Sequence, residues 1–83
     1  MNLYQRTLQK FGREHQINKA VEELVELATV LIHYRDSKAT IEEVASEIAD
    51  VEIVVEQMRL LLSPDILMKA KMQKLERLED LVR

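Results

Sequence analysis

The sequence contains no cysteine, so neither a disulfide nor a thiolate metal site is open to it, and a reducing compartment suits it. Glycine and proline occur once each; with abundant Ala, Leu, Glu, Lys and Met around them, almost nothing interrupts a helical pattern. Aromatic residues make up only 4%, which argues against the stacking platforms that hold single-stranded nucleic acid. Basic residues are not in excess, since 12 Lys and Arg face 15 Asp and Glu for a net charge of -3, the opposite of a phosphate-backbone footprint. Charges break every apolar run before the roughly 18 residues that a membrane span needs, and no leader-like stretch is evident. The expectation is a soluble, cytoplasmic protein without nucleic-acid or membrane partners.

What remains is 83 residues, 47% of them hydrophobic, which suits a single domain over 1–83. A chain of this size buries only about 60–65% of its unfolded surface, so self-association is expected to supply part of the core. Leu3, Tyr4, Leu8 and Phe11 recur at helical spacing in "NLYQRTLQKF" (2–11), and Gly12 is the natural stop. A long helix is predicted from about 14 to 35, with Ile17, Ala20, Val21, Leu24, Ala28 and Leu31 as its core stripe. "RDSKAT" breaks the pattern, and Thr40 with Glu43 reads as a capping box that opens a second long helix to about 62. Ser63 before Pro64 repeats the start signal for a last helix to about 82. Short connections predict consecutive antiparallel helices: an all-α bundle of two long antiparallel helices plus a C-terminal helix, with four-helix cores completed by oligomerisation.

The carboxylates of "EELVE" and "EIAD" do not follow a solvated face. Glu23 and Glu26 are three apart, as are Glu47 and Asp50, so each pair aims at one spot on its helix. Both pairs flank the apolar stripe, and the same side continues to Val30 or Val54. Sliding the chain by 24 residues aligns "AVEELVELATVL" with "VASEIADVEIVV", superposing Glu23 on Glu47 and Glu26 on Asp50. Like charges beside a core call for a cation. An oxygen-only set favours Mg²⁺, with Mn²⁺ as the alternative, and points toward phosphate chemistry. A pair of acids on a wet face is the competing explanation. Glu52 projects near the core stripe and is expected to pair with Arg59 or with a partner chain, while Glu56 reads as rim.

"KAVEELVELATVLI" followed by "EEVASEIADVEIVVEQM" resembles the MazG-like nucleotide pyrophosphohydrolases, the all-α NTP pyrophosphatases, whose hallmark is ExxE, a spacer, then ExxD. The resemblance spans about residues 14–80, is most specific at "EIADVEI", and looks like the compact single-domain, phage-type members. It implies that Glu23, Glu26, Glu47 and Asp50 are Mg²⁺ ligands. It further implies hydrolysis of an NTP or dNTP to the monophosphate and pyrophosphate, and assembly as a dimer or tetramer. Glu26 is the candidate to take the attacking water's proton.

Lys71, Lys74 and Arg77 trace one ridge of the last helix. They read either as a phosphate clamp or as a solvated ridge paired with Glu76, Glu79 or Asp80. The family's frequent Asn after the second acidic motif is missing, and "KMQKLER" offers Gln73 instead. Lys19, one turn before Glu23, is placed to meet phosphate or that acid. His15 and His33 form no Glu-x-x-His unit, which argues against a di-iron bundle. His15 and Gln16 could edge a nucleoside pocket or serve the helix end. Tyr4, Phe11 and Tyr34 are stacking or core candidates. Rival functions are a non-enzymatic helical interaction module, a dUTPase-like specificity, or pyrophosphate removal from a phosphoribosyl nucleotide.

Overall fold

The computed structural model describes residues 1–83. It contains the α-helices α1 (Leu3–Phe11), α2 (Arg13–Arg35), α3 (Ile41–Arg59) and α4 (Pro64–Val82), and no strand. No helix is long and apolar enough to cross a membrane.

Local chemistry sets the helix ends. Asn2 and Gln5 form a reciprocal capping box: the Gln5 N–H donates to Asn2 Oδ1 at 2.8 Å and the Asn2 N–H donates to Gln5 Oε1 at 2.9 Å. Gly12 separates α1 from α2 at φ 87°, ψ 165°, a region open essentially to glycine alone. At the start of α3 the Glu43 N–H donates to Thr40 Oγ1 at 3.1 Å, while the Glu43 side chain makes no return bond, so half of the expected box forms. Ser63 stands at the N-cap of α4 but makes no side-chain cap bond, and Pro64 opens the helix instead. Helix α3 stops at Arg59, short of the expected 62. There the N–H groups of Leu60, Leu61 and Leu62 turn to the carbonyls of Gln57, Met58 and Arg59, the tighter three-residue pattern.

α2 and α3 pack as an antiparallel hairpin, and α1 lies across both. Their shared seam keeps Ala20 and half-buried Ile17 of the expected stripe but otherwise differs from it. α2 buries Gln16, Ala20 and Glu23 and half-buries Leu27 and Val30, whereas Val21, Leu24 and Leu31 keep 56%, 50% and 44% of their surface. The helix is rotated so that its acid-bearing side faces α3, which buries Val44, Val54 and Gln57. The stripe of Val21, Leu24, Ala28 and Leu31 is thus left as a second, uncovered apolar face.

Helix α4 leaves this hairpin without packing back along it, contrary to the antiparallel succession expected from the short connection. It buries no residue, and its apolar side chains other than half-buried Leu67 are exposed, Ile66 and Leu75 among them. The molecule is accordingly open: its radius of gyration is 15.5 Å, against about 12 Å for a compact chain of this length. Its accessible surface is 6829 Å², against about 5,100 Å² for a compact monomer of this mass.

Candidate metal centre

Antiparallel packing of α2 on α3 sets Glu23 across from Asp50 and Glu26 across from Glu47. Each of the four residues offers one carboxylate oxygen, and these oxygens all lie within 4.8 Å of one another. The four sequence-nominated acids therefore do converge. Helical spacing aims each pair, and the hairpin register brings the pairs together. Val54, buried against the seam, and half-buried Val30 form apolar wall on either side.

The set is graded from inside to outside. Glu23 keeps 8% of its surface, Glu47 and Asp50 are half-buried, and Glu26 is exposed. Glu23 Oε2 and Glu47 Oε2 are buried without any hydrogen-bond partner. Buried carboxylate oxygens without a donor cost free energy unless something cationic answers them. Burial raises the Glu23 carboxyl above its ordinary range, and the charges of Glu26 and Asp50 raise it further.

Lys19 supplies only part of the compensation. Its Nζ lies 3.5 Å from Glu23 Oε1 and 3.4 Å from Glu22 Oε2. The hydrogen bond and charge of Glu22, ahead of the charge of Glu23, raise the lysine above its usual value. Lys19 is thus held chiefly by the outer acid, and its pull on Glu23 does not overcome burial and the neighbouring carboxylates. One ammonium serving Glu22 and Glu23 leaves Glu26, Glu47 and Asp50 without a cation. An all-oxygen set with two orphaned buried oxygens fits a hard divalent ion such as Mg²⁺ or Mn²⁺.

The remaining nominees fare differently. Lys71, Lys74 and Arg77 ride on α4 away from the acids and make no ion pair; the pairing near the end of that helix joins Arg83 to Asp80 at 3.3 Å. Arg59 meets Glu56, not Glu52, at 3.3 Å, because three residues apart places them on one side of α3. Glu52 is exposed beside Tyr4 and Ile48 on the outer face of α3. His33 is exposed in the last turn of α2, and Tyr34 is exposed as well.

A hollow adjoins the acids at the end of the hairpin where α1 crosses. Phe11, His15, Gln16, Lys19 and Gln57 line it together with Glu23 and Asp50 of the acid set. Phe11 and His15 stack across the helix break at Gly12, with centroids 4.9 Å apart and planes at 25°. Gln57 carried no signal in the sequence, where a glutamine late in an amphipathic helix reads as surface; only the hairpin register brings it opposite Gln16. No protein-family model, curated protein or solved structure matches the chain.

Proposed function

We propose that the protein is a Mg²⁺-dependent nucleoside triphosphate pyrophosphohydrolase of the MazG-like kind, acting in the cytoplasm. The observation that carries this reading is the convergence of Glu23, Glu26, Glu47 and Asp50 within 4.8 Å on two antiparallel helices. Two orphaned buried oxygens in the set support a cation there.

In this reading all four acids hold the metal, with Mn²⁺ as a substitute. Bound metal supplies neutralisation of triphosphate charge and a more acidic water. The chain's own groups do the rest. Glu26, the exposed member, is the acid placed to accept the proton of a water attacking the α-phosphorus. The α–β anhydride bond breaks, and pyrophosphate leaves as the monophosphate forms. Lys19, paired with Glu22 and Glu23 at the edge of the acid set, is the ammonium that would meet a phosphate oxygen there if a metal satisfied the acids. Lys71, Lys74 and Arg77 contribute only if the α4 of a second copy brings them to the site. That requirement fits a dimer or tetramer in which the uncovered faces of α2, α3 and α4 meet.

The apolar surface of α4 also favours a second reading, a helical interaction module whose acids are merely rim charges. The two differ in metal response. Pyrophosphate release is to be measured across NTPs, dNTPs (dUTP included) and phosphoribosyl nucleotides with Mg²⁺ or Mn²⁺, alongside Glu47→Gln and Asp50→Asn. Turnover lost in both variants is the expected result. No release from any substrate by folded, oligomeric protein rejects the enzyme.

A further inference from the structure

The hollow beside the acids has features that metal binding does not use. Its volume of about 340 Å³ lies in the range of about 300–1,000 Å³ typical of small-molecule sites. Gln16 is its most buried wall, with 2% of its surface exposed, and Gln16 Oε1 has no hydrogen-bond partner. Such a group is retained against a cost unless a ligand or water satisfies it. Gln57, 8% exposed, lines the same space. The Thr7 hydroxyl donates to the Leu3 carbonyl at 2.8 Å, which leaves its oxygen free to accept.

These groups select a chemistry. An amide offers an acceptor and donors side by side and carries no charge, so it complements the edge of a neutral heterocycle. Without a bound metal an anion is disfavoured here, because the charged members of the wall are Glu23 and Asp50 with a lysine engaged by Glu22 and Glu23. A purely aliphatic ligand leaves the Gln16 acceptor unanswered. Phe11, 51% exposed, and His15 form a stacked pair at the mouth, and aromatic pairs stack flat rings readily. Lys10 Nζ stands 5.6 Å from the Phe11 centroid, outside the hollow.

We infer that this hollow is a nucleobase pocket: the base stacks on the Phe11 and His15 ring pair and hydrogen-bonds the Gln16 side-chain amide, while its phosphates extend to the acid cluster. The inference deepens the nucleotide reading of the acids and rests on it. It makes Gln16, with Gln57 beside it, the group that distinguishes one base from another and a nucleotide from a bare phosphate.

The test uses the full chain with Mg²⁺. Calorimetric affinities are compared for the 5′-monophosphates of adenosine, guanosine, cytidine, uridine and thymidine, and for inorganic phosphate and pyrophosphate. At least one monophosphate is expected to bind at least tenfold more tightly than phosphate. Gln16→Leu, similar in size but without hydrogen-bonding groups, should abolish that preference and leave pyrophosphate affinity within about twofold. Phe11→Leu, at a half-exposed position, should weaken the same monophosphate and carries the test if Gln16→Leu fails to fold. The pocket is overturned if no monophosphate surpasses phosphate, or if a folded variant weakens pyrophosphate as much as nucleotide. It is equally overturned if the preference survives the substitutions. Base preference with the predicted variant response but no turnover of any triphosphate rejects the hydrolase and keeps the pocket.

Discussion

Dilution should destabilise this protein. Its surface of 6829 Å² exceeds that of a compact monomer by roughly 1,700 Å², and the exposed stripe of Val21, Leu24 and Leu31 lies within that excess. Two chains joined over it remove roughly 3,400 Å², inside the range of about 2,000–5,000 Å² found for obligate pairs. Folding and association are then one equilibrium, and each tenfold dilution costs about 1.4 kcal/mol. Taking about 0.7 kcal/mol per residue, unfolding two chains absorbs on the order of 120 kcal/mol, so the midpoint falls by about 4 °C per tenfold dilution. Circular-dichroism melts over a hundredfold range of concentration, with sedimentation velocity on the same samples, read this directly. Leu24→Glu places a charge in the stripe and should shift the protein toward monomer with a lower midpoint. A concentration-independent midpoint in a protein that sediments as a folded monomer refutes the argument.

Other consequences concern the acids and the helix junction. The Glu23 carboxyl is raised above 4.5, first by burial and then by Glu26 and Asp50. The folded state therefore binds that proton more tightly than the unfolded state, and the resulting stability is present at low pH and lost as pH rises through the folded value. Metal-free melts of Glu23→Gln should lack this part of the wild-type decline above pH 4.5; an unchanged pH profile contradicts the assignment. Mg²⁺ should raise the wild-type midpoint at neutral pH more than at acid pH, and Glu23→Gln should blunt the effect, as a metal titration followed by melting will reveal. Gly12→Ala meets no atom within 4 Å, yet φ is +87° there, so strain of about 1–3 kcal/mol is expected. Chemical denaturation measures that loss, which should come with a weakened Phe11–His15 stack in proton spectra.

The helices and the acid pairs were legible because their causes are local. Thr40 accepts from the Glu43 N–H as its position before "IEE" suggests, Pro64 opens α4, and three-residue spacing aims each pair of acids along one side of its helix. The faces were less legible. The stripe from Val21 to Leu31 is the more apolar side of α2, so periodicity alone assigned it to the core, yet α3 packs on the side carrying Gln16, Ala20 and Glu23. Arg59 follows two acids in the sequence, Glu52 and Glu56, and three-residue spacing along α3 settles it on Glu56. The departure of α4 was not legible, because its apolar residues say that it packs without saying against what.

The sequence by itself determined where helices start, to within a turn where they stop, and how the four carboxylates are spaced, because capping, backbone propensity and a period of about 3.6 residues act within a few positions of the chain. Only the tertiary structure decided the rotation of α2 about its axis and its register on α3. Those choices bring Glu23 to Asp50 and Gln16 to Gln57, and they leave the apolar stripe uncovered. They depend on packing between segments far apart in sequence, where shape and desolvation across the whole seam outweigh the polarity of any one face.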